Sequence, residues 1–139
     1  MKTYTIQEVS QMFHLPASTL RYYEEMGILT NIDRTPGGQR IYTEGHINRL
    51  KTICCFKGAG MSISKLRLFF EYETDEPGHI DEILALLKEQ KREVTGQIEK
   101  MQKDLKHVER KLHYYTDRKN AMEAGEPLPQ WADYRGKEF

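Results

Sequence analysis

The chain has 139 residues, with 21 Lys and Arg against 21 Asp and Glu, and is formally neutral. That length accommodates one compact domain with an appendage and excludes barrel enzymes of about 250 residues. At 38% hydrophobic and 30% charged residues, no stretch approaches the ~20 apolar residues of a membrane span. The opening Met-Lys-Thr-Tyr-Thr-Ile lacks an apolar leader, so the expected home is cytoplasmic, with no membrane partner. Cys54 and Cys55 are adjacent and without Cys-x-x-Cys zinc spacing; they are thiols, and no cofactor or metal is called for.

Neutrality argues against nucleic-acid binding only if charge is evenly spread. It is not: residues 1–70 carry nine Lys and Arg against five acids, a surplus of +4, and the remainder carries the compensating −4.

In chain order, Thr5 with Glu8 three residues on forms a capping box. A short helix follows with Ile6 and Val9 inward, and Pro16 stops it near Phe13–Leu15. A second helix runs from Pro16 to Met26, where Gly27 is suited to a left-handed terminator. Two short helices around a tight turn read as a helix-turn-helix, with Ile6, Val9, Leu15, Leu20 and Ile28 as its core. Pro36-Gly37-Gly38, within 31–42, makes a turn whose flanks pair as a small hairpin, a wing. A third helix spans Glu44 to about Lys57 and ends at Gly58 and Gly60. Ser62 then caps a fourth, Ile63 to about Glu73.

After a break at 74–78 the pattern changes. Alternate steps of four and three from Ile80 reach Leu84, Leu87, Lys91, Val94, Ile98, Met101, Leu105, Val108, Leu112, Tyr115, Lys119 and Met122, eleven of the thirteen positions being apolar. An unbroken 3.5-residue period of this length marks a coiled coil. No second helix of similar length is legible in the chain, so the partner is a second copy. The tail, 123–139, contains Pro127 and Pro129; its Trp131 and Tyr134 either dock on the dimer or belong to a disordered end. The expected organisation is a winged helix-turn-helix DNA-binding domain (1–75), a coiled-coil dimerisation helix (76–122) and a tail, all-α but for the small β wing.

With Leu20 and Tyr23 inward, about 100° per residue puts Ser18, Arg21, Tyr22 and Glu25 on the opposite face of the second helix. Hydroxyls and arginine there suit phosphates or base edges in a major groove, and Glu25 suits a cytosine amino group. Arg34 and Arg40 flank the turn and place cations on the wing.

Thr19-Leu-Arg-Tyr-Tyr-Glu-Glu-Met-Gly-Ile-Leu29, Gly38-Gln-Arg-Ile-Tyr42 and Gly58-Ala-Gly-Met-Ser-Ile63 closely resemble the MerR family of bacterial transcription regulators over residues 4 to about 72. The resemblance implies that Arg21, Tyr22, Arg40 and Tyr42 touch promoter DNA and that the long helix forms an antiparallel coiled coil in a homodimer. It also implies distortion of a promoter spacer for RNA polymerase when a signal arrives. Pro16 departs from the Ser or Thr frequent at that cap. Metal-sensing members place cysteines at the start of and after the long helix, a pattern not met here, and the tail is too short for a large ligand domain. Cys55-Phe-Lys-Gly-Ala-Gly60 resembles the thiol-dependent branch that responds to aldehydes or nitrosative stress, which makes Cys55 the candidate sensor of an otherwise unknown electrophile. Cys54 faces the apolar stripe of its helix as a small hydrophobe, and an inert Cys55 is the alternative. Two further readings are a coiled-coil adaptor whose N-terminal domain binds protein, and a thiol enzyme, for which only His46 lies near as a base.

Overall fold

The computed structural model describes residues 1–137 and divides between Lys91 and Arg92 into two units. In the first, β1 (Thr3–Tyr4) leads directly into α1 (Ile6–Phe13). The capping box forms as expected: the Thr5 side chain accepts from the Glu8 amide at 3.1 Å, and the Glu8 carboxylate accepts from the Thr5 amide at 3.0 Å. His14 ends the helix in left-handed geometry (φ 54), and its neighbours lock the turn, the Leu15 amide donating to Ser10 O and the Ser10 hydroxyl to Leu15 O.

α2 (Ala17–Glu25) starts from Pro16, which offers no side-chain cap; the Pro16 carbonyl instead takes the Thr19 and Leu20 amides. Gly27 follows at φ 77, a conformation that costs a glycine little, and it lets the Ile28 and Leu29 amides turn back onto Tyr23 O. The wing strands are β2 (Asp33–Arg34) and β3 (Arg40–Thr43). They are two members of a three-stranded antiparallel sheet of order β1-β3-β2. The first strand, absent from the sequence reading, pairs Thr3 with Thr43 and Tyr4 with Tyr42.

α3 (Glu44–Gly58) and α4 (Ile63–Glu73) complete the module. Gly60 (φ 90) turns the chain between them, and the Ser62 side chain accepts from the Lys65 amide at 3.2 Å. Val9, Leu20, Ile28, Leu29, Leu50, Ile53 and Leu66 are fully buried at the centre of the core. Arg49 closes its edge: Nε donates to Ile28 O at 2.7 Å, and the guanidinium lies 3.9 Å from the Phe70 ring centroid. The loop after α2 is thereby tied to α3 and α4 through one side chain, and burial lowers the pKa of its guanidinium.

The expected break before the long helix is only a kink. α5 (Glu76–Ala124) begins inside it, with irregular geometry confined to His79 (φ −130, ψ 20). Pro77 is tolerated because the first-turn amides have no intrahelical acceptor to lose. The first turns of α5 belong to the first unit. Ile83 is buried, Leu86 and Leu87 are partly buried, and the buried Gln90 donates to Ala59 O at 2.9 Å. Ile80 and Leu84, on the predicted seam, point away from that contact and are 49% and 46% exposed.

The second unit holds the rest of α5. Its seam residues Ile98, Met101, Leu105, Val108, Leu112, Tyr115 and Met122 are all exposed. Gly125 (φ 67) ends the helix, and the tail folds back onto it through a single 3-10 turn, Trp131–Asp133. Trp131 lies under the Lys111 ammonium, 3.7 Å from ring centroid to Nζ, and edge-on to Tyr114. Arg118 donates to Pro129 O at 2.9 Å, and the Tyr134 hydroxyl donates to Asp117 at 2.5 Å. The described part of the tail, up to residue 137, therefore docks on its own helix. Its stripe (His107, Lys111, Tyr114, Arg118, Ala121) runs one residue before the seam, about 100° around the helix. No helix among the described residues is long and apolar enough to cross a membrane.

Candidate nucleic-acid interface

α2 presents two faces because Leu20 and Tyr23 are drawn into the core at 0% and 6% exposure. Ser18, Arg21 and Glu25 are consequently exposed, and Tyr22 is 43% exposed, which is the arrangement expected from the sequence. The wing turn is fixed by hydrogen bonds from the Gly38 amide to Thr35 O and from the Thr35 amide to Gln39 O, both 2.8 Å. Gly38 takes φ 85 with open space where a side chain would stand.

The register of β2 and β3 sets Arg34 directly opposite Arg40. Like charges in that position repel, and a residue overlooked in the sequence offsets this. Glu24 of α2 accepts from Arg34 Nη2 at 3.3 Å through one oxygen and from Arg40 Nε at 3.0 Å through the other. Arg34 also donates to Gly38 O at 3.1 Å. α2 and the wing are thus clasped by one carboxylate between two guanidinium groups. Sequence offered a weak signal: Glu24 sits beside Tyr23 on the flank of the reading face, but its partners lie 10 and 16 residues away.

Beside the clasp, Thr5, Ile6, Gln7, Arg21, Gly38, Gln39 and Arg40 line a crevice of about 280 Å³. It places two cations beside the first turn of α1, the end of a helix that attracts anions. Its chemistry fits a phosphate. A larger groove of about 600 Å³, along α5 between Glu99, Gln102, Lys103, Leu105, Lys106, Glu109 and Lys137, mixes both signs of charge and presents no convergent set of donors.

Tyr42 stands apart from the exposed residues. The resemblance puts it at the DNA surface, whereas the structure buries it completely. The alternation of β3, fixed by the Tyr4–Tyr42 pairing, turns it inward, edge-on to His46 at 5.9 Å. Its hydroxyl has no hydrogen-bond partner among the described residues. Burial raises its pKa, with Arg40, Glu24, Arg21 and Arg34 as the charges acting on it; the ring underlies the charged cluster.

Cys54 is half-buried and Cys55 exposed on α3. Burial pushes the Cys54 thiol up, and the Tyr23 hydroxyl of α2 is likewise raised, by burial first and by Cys54 next. His46, the nearest candidate base, is committed elsewhere. Its Nδ1 accepts from the Thr43 amide at 3.0 Å, and its Nε2 lies 2.8 Å from Thr30 O, which it meets as a donor. Both ring nitrogens cap α3 and tie it to the loop after α2, leaving none for proton transfer at a thiol.

Comparison with known proteins accords with this geometry. The family model for MerR HTH family regulatory proteins matches residues 4–73, the segment that builds the helix, wing and core. An uncharacterised HTH-type transcriptional regulator of Haemophilus influenzae is 32% identical over 117 residues, 84% of this chain and 87% of that one. The HTH-type transcriptional regulator ZntR of Escherichia coli K12 is 31% identical over 108 residues, 77% of each chain. Among solved structures, HiNmlR, a MerR family regulator lacking the sensor domain and bound to promoter DNA, superposes with a TM-score of 0.76 at 30% identity, covering 90% of this chain and 97% of that one. These relatives are regulators and not enzymes, and the chain belongs to the MerR family of DNA-binding helix-turn-helix transcriptional regulators.

Proposed function

We propose that this regulator works as a homodimer on a promoter, held by Ser18, Arg21 and Tyr22 of α2 and by Arg34 and Arg40 of the wing, and that it distorts the spacer to present the promoter to RNA polymerase. The observation that carries the reading is the seam of α5: nine of its large apolar residues, from Ile80 to Met122, are 46–68% exposed. A regular stripe of that kind is stable in water only when a second helix covers it. Dimerisation also answers the charge arithmetic. One protomer offers few phosphate contacts, and two protomers double them while fixing the half-site spacing. Promoter binding is supported by family membership and by the promoter-bound state of HiNmlR; spacer distortion draws on DNA deformability in place of additional base contacts. Tyr42 acts in this scheme by supporting the cluster from beneath.

The test is selection of binding sites from random duplexes, followed by footprinting. A near-palindromic footprint is expected, weakened at least tenfold by Arg21→Ala or Arg40→Ala. Unchanged sequence-specific affinity in both variants would refute the assignment of the surface. Shortening the promoter spacer is expected to make transcription independent of the protein; continued dependence would remove the distortion step.

A second element concerns the signal. Cys55 is the exposed cysteine of the pair, accessible to an electrophile, and alkylation or nitrosylation of its thiolate would alter packing around α3. The expected result is that Cys55→Ser abolishes an aldehyde or nitrosothiol response in promoter transcription and that Cys54→Ser does not. A full response in both variants would eliminate thiol sensing and leave a regulator that does not respond through its cysteines.

A further inference from the structure

We infer that Glu24 is a positioning and specificity residue for DNA recognition: by clasping Arg34 and Arg40 it sets the wing against the recognition helix and withholds the two wing cations from indiscriminate phosphate binding. The inference rests on the proposed DNA face of α2 and the wing.

The geometry is asymmetric in an informative way. Arg34 is engaged at both terminal nitrogens, by Glu24 and by Gly38 O, so it is held as part of the wing. Arg40 donates through Nε, and it lines the crevice together with Arg21. Glu24 therefore aims one arginine and restrains the other. Its own position is set by the core, since Leu20 and Tyr23 fix the rotation of α2. The Glu24 side chain is 27% exposed against 20% for Arg40 and 47% for Arg34, so the clasp is open to solvent and to an approaching phosphate.

A carboxylate on a DNA-facing surface repels every phosphate, whatever the sequence. It weakens non-specific binding, which is governed by the number of phosphates neutralised. Specific binding suffers less, because there the aimed Arg40 and the fixed wing angle are used. The net effect is discrimination obtained from a repulsive element as well as from attractive ones.

The experiment measures affinity against salt for two probes, a duplex selected from a random pool by the parent protein and a random-sequence duplex of equal length, using the full chain. Glu24→Gln keeps the side chain's shape and removes its charge. Random-duplex affinity is expected to rise, with a salt slope steeper by about one to two, and the ratio of selected to random affinity to fall about tenfold. Glu24→Asp keeps the charge but is too short to reach both arginines. It is expected to leave the random-duplex salt slope near that of the parent and still to lower the ratio. Thermal unfolding of each variant reports the fold separately. A parallel shift of both probes in Glu24→Gln, no shift at all, or a parental ratio in Glu24→Asp would each overturn the inference. Arg21→Ala and Arg40→Ala separate its failure from that of the underlying reading. If they weaken the selected duplex while the Glu24 variants keep the parental ratio, the role of Glu24 alone is lost; if they change nothing, the DNA face itself is misplaced.

Discussion

The two units of this chain solve the same problem differently. Residues 1–91 close a core of their own, in which Val9, Leu20, Leu50 and Ile53 have no exposed surface, and leave only the start of the seam, Ile80 and Leu84, beside a few scattered side chains in water. From Arg92 onward the helix leaves its principal apolar stripe in water, Leu105, Val108 and Leu112 at 55%, 61% and 67% exposure, and buries only the offset stripe beneath the tail, where Tyr114, Ala121 and Tyr134 fall to 9% or less. The first region has its own closed core. The other leaves an apolar stripe uncovered beside an internal brace, and on the dimer proposed above its stability follows the concentration of its partner.

The largest expected effect breaks this contrast directly. Leu105→Glu combined with Leu112→Glu puts charge into the seam, and sedimentation equilibrium should show loss of the dimer together with most of the operator affinity. A double variant that sediments like the parent would mean that something other than this stripe joins the protomers. Within the self-contained region, Leu50→Ala should cost about 2–5 kcal/mol by urea denaturation, with association through the seam intact. A cost below ~1 kcal/mol would show that the core there is loosely packed.

The brace is a smaller matter. Trp131→Ala removes the ring beneath Lys111 and beside Tyr114, worth about 1–3 kcal/mol from cation–π and aromatic contacts. The loss should appear in hydrogen exchange as faster opening of residues 110–124, with residues 1–91 unaffected. Uniform acceleration across both regions would contradict the division. The smallest effect is a pH dependence. The Tyr134 hydroxyl, donating to the Asp117 carboxylate, has its pKa raised from 10.0 to about 12. The folded state thus retains a proton that the unfolded chain releases, so this contribution is fully present below about pH 10 and is lost as pH rises toward about 12. Tyr134→Phe should flatten the alkaline limb of the second unit's stability, and an unchanged limb would remove Asp117 as the partner.

Much of the first unit was legible because its signals are local. The Thr5–Glu8 box, the glycines at 27 and 60, the Pro-Gly-Gly turn and the Ser62 cap each act over a few residues, and each appears where the sequence put it. The exposed face of α2 was legible for the same reason, since Leu20 and Tyr23 fix its rotation. The partners in the site were not. Glu24 gains its meaning only when the hairpin brings Arg34 and Arg40 to it, and Tyr42 is buried through its pairing with Tyr4, a strand two residues long that carries no periodicity. The start of α5 was obscured because Pro77 and Gly78 look like a break, although proline fits a helix's first turn. The tail was left open between two fates, and its order comes from Lys111, Tyr114, Asp117 and Arg118 on a helix face that its own residues do not reveal.

By itself the sequence determined the helix-turn-helix, the wing, the long seam and the family motifs, because periodicity, caps and turn residues act between near neighbours. The tertiary structure alone decided that a carboxylate clasps the two wing arginines, that Tyr42 supports the surface without reaching it, that the first turns of α5 belong to the N-terminal module, and that the tail braces a stripe beside the seam. Each of these depends on groups far apart in the chain meeting at hydrogen-bond or van der Waals distance, and that geometry is fixed only when the core closes.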